Sequence, residues 1–168
     1  MTSRQAEPMV ELWRGGLLES AHRGHAVICD DKGQIVEHWG NPAEIIFPRS
    51  SAKMIQALPL IESGAFDAAG LTEAHAAFAC ASHHGAALHT TLARTWLEGL
   101  GLSESDLRCG SHEPSDKIER IRLIRADEKP CQLHNNCSGK HAGFLTLNRH
   151  LKGDAEYTEH DHPLQVQI

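Results

Sequence analysis

The chain has 168 residues, 40% of them hydrophobic and 23% charged, and its formal net charge is −6. This length allows one domain with a substantial core, and the acidic balance argues against a nucleic-acid partner. No apolar run reaches the length of a membrane span, which argues against a membrane protein. Five cysteines without an N-terminal secretory pattern favour reduced thiols and a cytoplasmic location.

Strand patterns come first along the chain. Residues 10–13 alternate between apolar and polar side chains, and residues 25–29 and 34–39 flank the turn signal Asp-Asp-Lys-Gly at 30–33. A turn of this kind between two alternating segments is typical of a β-hairpin. An antiparallel sheet is therefore expected to open the fold.

Helical patterns follow from residue 51. A first helix is predicted over about 51–63, with Pro59 as a kink and with one apolar stripe buried, formed by Met54, Ile55, Ala57, Leu58 and Ile61. Start and stop signals such as Thr72 and Gly101 predict four further helices, over 72–79, 88–100, 115–125 and 137–150. Strands followed by helices indicate an α+β fold.

Ser50 and Lys53 form an S-x-x-K motif at the start of the first predicted helix. At this spacing the lysine can hydrogen-bond the serine hydroxyl and accept its proton during nucleophilic attack. The first-turn amides can also stabilise an oxyanion. The alternative for so short a motif is a helix-capping serine followed by a solvated lysine.

Two further polar clusters lie at predicted junctions between elements. Ser82 is a second hydroxyl on a turn, with a plain turn serine as the alternative. Cys137, Lys140 and His141 share one face at a helix start, directly after Asn136. A thiolate and an imidazole can bind zinc, although the usual spacing of zinc ligands is lacking and a buried thiol is the alternative.

Five blocks of sequence, taken in order, resemble the rhizobial-type L-asparaginase II family. They are residues 48–53 (PRSSAK), 56–59 (QALP), 79–83 (ACASH), 107–110 (LRCG) and 134–143 (HNNCSGKHAG). The resemblance implies an α+β fold similar to serine β-lactamases and glutaminases, with an antiparallel sheet packed with helices. It also implies hydrolysis of the L-asparagine side-chain amide to L-aspartate and ammonia.

The resemblance assigns roles to individual residues. Ser50 and Lys53 are expected to form a first catalytic Ser/Lys pair, and Ser82 is expected to be the serine of a second pair whose lysine lies outside residues 1–168. The expected substrate-binding residues are Arg49, Asn136 and His141. The expected zinc ligands are Cys137 and Lys140, and the complete enzyme is expected to be a homodimer.

Members of that family are about twice as long as this chain. Residues 1–168 are therefore expected to be the N-terminal portion of a single asparaginase-like domain, with an incomplete fold and an incomplete zinc site. Little turnover is expected from the 168-residue chain alone. The alternatives are an S-x-x-K acyl-transfer enzyme of the glutaminase or β-lactamase type, and a non-catalytic half-domain that pairs with a full-length subunit.

Overall fold

The computed structural model describes residues 5–168 and contains both helices and antiparallel strands, as the α+β prediction requires. The chain divides into two compact units. The first unit ends at Phe47, and the second spans Pro48–Ile168. All residues predicted to form the functional site belong to the second unit.

The first unit contains two β-hairpins in its described part. Strand β1 (Glu7–Arg14) pairs antiparallel with β2 (Leu17–Gly24), and β3 (Ala26–Cys29) pairs antiparallel with β4 (Ile35–Trp39). The predicted turn after β3 is present, because the Asp30 carboxylate accepts from the main-chain N–H groups of Lys32 and Gln34. The antiparallel pairing expected at the start of the fold is present, as two two-stranded sheets within residues 5–47.

The second unit is helical in its described secondary structure. Its helices are α1 (Lys53–Glu62), α2 (Ala65–Ala68), α3 (Glu73–Cys80), α4 (Ala87–Gly99), α5 (Lys117–Ala126), α6 (Ser138–Leu151) and α7 (Pro163–Gln167). Local signals set several boundaries: Gly64 ends α1 with φ of 78°, and the Asp116 carboxylate accepts from the Glu119 N–H at 2.8 Å at the start of α5. The five predicted helices are confirmed, whereas α2 and α7 were not predicted.

Helix α6 is the centre of the packing in this unit. It packs against α1, α3 and α4, and most extensively against α3. Its backbone touches α3 at Gly139, where a Cβ atom would lie only 2.3 Å from the Phe78 carbonyl oxygen. Trp96 of α4 donates from Nε1 to Thr146 Oγ1 of α6 at 3.0 Å. The start of α6 is therefore held closely against α3.

The burial predicted for α1 is wrong for four of its five apolar residues. Met54, Ile55, Leu58 and Ile61 are 46 to 67% exposed. The inward face of α1 instead carries Lys53 and Leu60, which are both 2% exposed, with Ala57 partly buried between them. These three positions share a helical face, so the period of the prediction was right and its direction was not.

In the part of the chain that the structure describes, no helix is both long enough and apolar enough to cross a bilayer.

Candidate active site

Lys53 is the point at which three segments of the chain meet. Its side chain is buried at the start of α1, and its Nζ lies 2.7 Å from the Ala81 carbonyl oxygen, 2.9 Å from Ser82 Oγ and 3.2 Å from the Asn136 carbonyl oxygen. Ala81 and Ser82 directly follow α3, whereas Asn136 comes just before α6. The structure therefore brings Lys53 and Ser82, two of the predicted catalytic residues, into hydrogen-bond contact.

Local structure holds the Asn136 segment in place. The side chain of Asn135 accepts from the Cys137 N–H at 2.8 Å through Oδ1 and donates to the Cys109 carbonyl oxygen at 2.8 Å through Nδ2. Because both ends of the Asn135 amide are bonded, the turn before α6 has one arrangement. The Asn136 carbonyl oxygen then faces Lys53.

The expected hydrogen bond between Ser50 and Lys53 is not formed within residues 5–168. Ser50 is exposed and lies in a 3-10 turn over Arg49–Ala52. Only its main chain contacts the lysine, because the Lys53 N–H donates to the Ser50 carbonyl oxygen. The long lysine side chain reaches past the first turn to buried acceptors, whereas water can satisfy the exposed Ser50 hydroxyl.

The three acceptors around Lys53 suit both of its protonation states. As an ammonium, Nζ donates one hydrogen to each of the three oxygens. As a neutral amine it has two hydrogens and one lone pair. The carbonyl oxygens of Ala81 and Asn136 can only accept, so they take both hydrogens and leave the lone pair to accept from the Ser82 hydroxyl. A proton can therefore pass between Ser82 and Lys53 without rearrangement of the site.

The predicted substrate-binding residues lie in different settings. Arg49 is exposed, directly before Ser50, and its φ of 54° is a left-handed conformation that costs a non-glycine residue on the order of 1 kcal/mol. Asn136 contacts Lys53 through its main chain, not through its side-chain amide. His141 is buried on α6, where Nδ1 contacts the Tyr157 hydroxyl at 2.8 Å.

The protonation of His141 follows from its surroundings. The Tyr157 oxygen already accepts from the Arg108 N–H at 2.8 Å, so the Tyr157 hydroxyl hydrogen is available for His141 Nδ1. Burial lowers the pKa of His141 to about 4, and the nearby positive charges of Lys140 and Lys53 act in the same direction. His141 is therefore neutral at pH 7.

The proposed zinc ligands lie at the start of α6. Cys137 is the residue before this helix, and Lys140 Nζ lies 5.2 Å from the centre of the Phe144 ring. Across residues 5–168, no group of three or more His, Cys, Asp or Glu side chains could hold a metal ion. Zinc binding at Cys137 and Lys140 stays a prediction.

Sequence reasoning missed two residues that border this site, His83 and Ser138. Their side chains are in contact at 2.9 Å between His83 Nε2 and Ser138 Oγ, and both residues are buried. They lie in the same sequence blocks as Ser82 and Cys137, but no local spacing links positions so far apart in the chain.

A lysine that is buried against a serine hydroxyl, with its remaining hydrogens taken by main-chain carbonyls, is the arrangement expected of a Ser/Lys hydrolase. The family model for L-asparaginase II matches residues 10–168, and the chain belongs to that family. Membership supports an amidohydrolase of the asparaginase type that acts on a small-molecule substrate. No curated protein matches the chain.

Proposed function

We propose that this protein hydrolyses the side-chain amide of L-asparagine to L-aspartate and ammonia, with Ser82 as nucleophile and Lys53 as its base. The contact of 2.9 Å between Lys53 Nζ and Ser82 Oγ carries the proposal, together with membership of the family. Ser50 lies one turn before Lys53 and is the alternative nucleophile, because its hydroxyl is exposed and near the same amine in the sequence.

The reaction proceeds in two steps. Ser82 Oγ attacks the side-chain carbonyl carbon while Lys53 takes the hydroxyl proton. The carbon–nitrogen bond then breaks, and Lys53 returns the proton to the leaving ammonia, which leaves an aspartyl ester on Ser82. Water attacks this ester, Lys53 takes one proton from the water, and Ser82 regains its hydrogen as aspartate departs. Main-chain N–H groups stabilise the oxyanion in both steps.

The substrate-binding part of the proposal assigns the substrate carboxylate to Arg49, whose planar guanidinium suits a bidentate contact. Asn136 and His141 are proposed to orient the rest of the substrate. When the Tyr157 hydroxyl donates to Nδ1, a neutral His141 carries its ring hydrogen on Nε2 and can donate it. This donor suits a carbonyl or carboxylate oxygen of the substrate.

The test measures ammonia release by the complete gene product with single serine variants. Ser82→Ala should lower kcat by about a thousandfold or more, as expected for loss of a nucleophile. Ser51→Ala is the matched control, because the Ser51 hydroxyl donates to the Pro48 carbonyl oxygen, and it should retain activity. Full activity in Ser82→Ala would overturn the assignment, and loss of activity in Ser50→Ala alone would move the nucleophile to Ser50.

Substrate choice is tested separately by comparing hydrolysis of asparagine, glutamine and a chromogenic β-lactam. A preference for asparagine in kcat/KM supports the proposal. Equal or better hydrolysis of glutamine or the β-lactam would instead favour the broader class of S-x-x-K acyl-transfer enzymes.

Zinc binding at Cys137 and Lys140 is part of the proposal, with further ligands to complete the site. Metal analysis of the purified protein should find zinc that is lost in Cys137→Ser and kept in Cys29→Ser, since Cys29 is an exposed thiol. The proposal also includes a cytoplasmic homodimer in which residues 1–168 form the N-terminal portion of an asparaginase-like domain. Native mass measurement of the complete gene product tests the dimer.

A further inference from the structure

The two carbonyl oxygens that bind Lys53 belong to segments far apart in the sequence. The Ala81 oxygen follows α3, and the Asn136 oxygen precedes α6. Lys53 touches both, but a flexible four-carbon side chain cannot by itself fix the distance between them. Both carbonyls must be in place to leave the Lys53 lone pair free for Ser82, so the connections between these two segments matter to the site. One of them is the packing of Gly139 against Phe78.

A second connection is a hydrogen-bond chain through His83 and Ser138. His83 Nδ1 accepts from the Gly85 N–H at 3.1 Å, so the ring hydrogen must be on Nε2. Nε2 therefore donates to Ser138 Oγ at 2.9 Å, and the Ser138 hydroxyl donates to the Leu133 carbonyl oxygen at 3.2 Å. Each donor and each acceptor in this hydrogen-bond chain has a single role. The chain runs from the Ser82 segment to the start of α6.

Packing holds the His83 ring in one orientation. The His83 ring packs against the rings of both Phe78 and His89, with centroid distances of 4.8 and 4.9 Å, and the residue is 6% exposed. The turn after it is equally closed, since a Cβ atom at Gly85 would lie 2.8 Å from the His134 carbonyl oxygen. Burial lowers the pKa of His83 to about 4, which keeps the ring in the form that can both accept and donate.

We propose that His83 is a positioning residue, whose hydrogen bond to Ser138 holds the Ala81 and Asn136 carbonyls at the separation that directs Lys53 toward Ser82. The inference rests on the proposed function for its catalytic consequence. Its structural part, the restraint on Lys53, does not depend on which substrate is hydrolysed.

The first experiment measures how far Lys53 is shielded, by trace acetylation with acetic anhydride and site-resolved mass spectrometry. Exposed Lys129 is the internal reference. Asn at position 83 can replace Nδ1 as the acceptor for Gly85 but cannot reach Ser138, whereas Gln can place a donor near the position of Nε2. Both variants lose the aromatic stack, and only Gln offers a donor to Ser138, so restored protection in His83→Gln would be due to that bond.

His83→Asn should raise the acetylation of Lys53 relative to Lys129 by about fivefold to tenfold, the effect of losing one buried hydrogen bond. His83→Gln should restore most of the protection. His84→Ala is the matched control on the same segment, because His84 bonds to Ser115 and not to α6. Equal acetylation in the Asn and Gln variants, or an equal rise in His84→Ala, overturns the proposal.

A second variant protects the test against misfolding at position 83. Ser138→Ala removes only one oxygen atom and leaves His83 Nε2 without its acceptor, so it should raise the acetylation of Lys53 to a similar degree. If neither variant at His83 folds, this measurement decides alone, and unchanged acetylation in Ser138→Ala overturns the proposal.

The second readout is turnover by the complete gene product. His83→Asn should lower kcat by about tenfold to a hundredfold while KM for asparagine stays within about twofold, and His83→Gln should recover most of kcat. A fall in kcat/KM that comes only from a higher KM contradicts a positioning role. If the wild-type protein does not hydrolyse asparagine, the proposed function fails, and the acetylation result still decides the role of His83.

Discussion

The close contact between α6 and α3 at Gly139 predicts how much a larger side chain at this position would destabilise the protein. A Cβ atom at this position would lie 2.3 Å from the Phe78 carbonyl oxygen and 2.7 Å from Phe78 Cδ1. The oxygen belongs to the main chain and cannot rotate away, so an ordinary contact requires the two backbones to separate by about 1 Å. The same shift would stretch the contact between Lys53 and Asn136, now 3.2 Å, beyond hydrogen-bond length.

Gly139→Ala should therefore destabilise the protein. Overpacking of this kind costs about 1–3 kcal/mol, and the better helix propensity of alanine returns up to about 1 kcal/mol. Gly143→Ala is the matched control on the same helix, because its nearest neighbours would be Leu60 Cδ2 at 3.4 Å and Ala79 Cβ at 3.5 Å. Both variants replace a glycine of α6 by alanine, so the difference between them reports mainly the steric contact.

The assay is urea denaturation of both variants, followed by circular dichroism. Gly143→Ala should match or exceed the wild-type free energy of unfolding, and Gly139→Ala should lie about 2 kcal/mol below Gly143→Ala. Equal stability of the two alanine variants would refute the inference that α3 and α6 touch through their backbones at this point.

Two further predictions concern buried polar groups. Tyr157→Phe leaves the Arg108 N–H and His141 Nδ1 without their shared partner. It should lower the free energy of unfolding by about 2 kcal/mol, measured by urea denaturation. An unchanged denaturation midpoint would contradict this role of the Tyr157 hydroxyl. Stability should also fall as the pH drops from about 6.5 toward 4, because burial lowers the pKa of His83 and of His141 to about 4 and the unfolded chain takes up protons first. Each histidine contributes at most about 3 kcal/mol to this loss, and its stabilising contribution is fully present above pH 6.5. A free energy of unfolding that stays constant between about pH 7 and 5 would count against both pKa shifts.

Local signals in the sequence were sufficient for most of the helices. The Thr72 and Gly101 boundaries and the hairpin turn at residues 30–33 depend on neighbouring residues alone, and the structure confirms them. Strand β2 was missed because its sequence, LLESAHRG, lacks a clear alternation. Helix α1 was predicted correctly, but its inward face was not, because a buried lysine cannot be inferred from a hydrophobic stripe.

The contact between Lys53 and Ser82 could not be predicted from the sequence. The blocks of sequence identified Ser50, Lys53 and Ser82, and helical spacing then paired Lys53 with the nearer serine. In the structure Lys53 contacts Ser82 instead, across a distance in sequence that only tertiary packing determines. The bond between His83 and Ser138 is missed for the same reason.

Because two of the three partners of Lys53 are peptide oxygens, conventional mutagenesis cannot delete them. An alanine scan would detect Lys53 and Ser82 but not positions 81 and 136. At these two positions the side chain can change while the main-chain carbonyl oxygen remains as the acceptor. Evolution has the same freedom at these positions, so sequence variation there is compatible with a fully intact lysine environment. Chemical replacement of the peptide bond by an ester, which weakens the carbonyl as an acceptor, is the perturbation that reaches this half of the site.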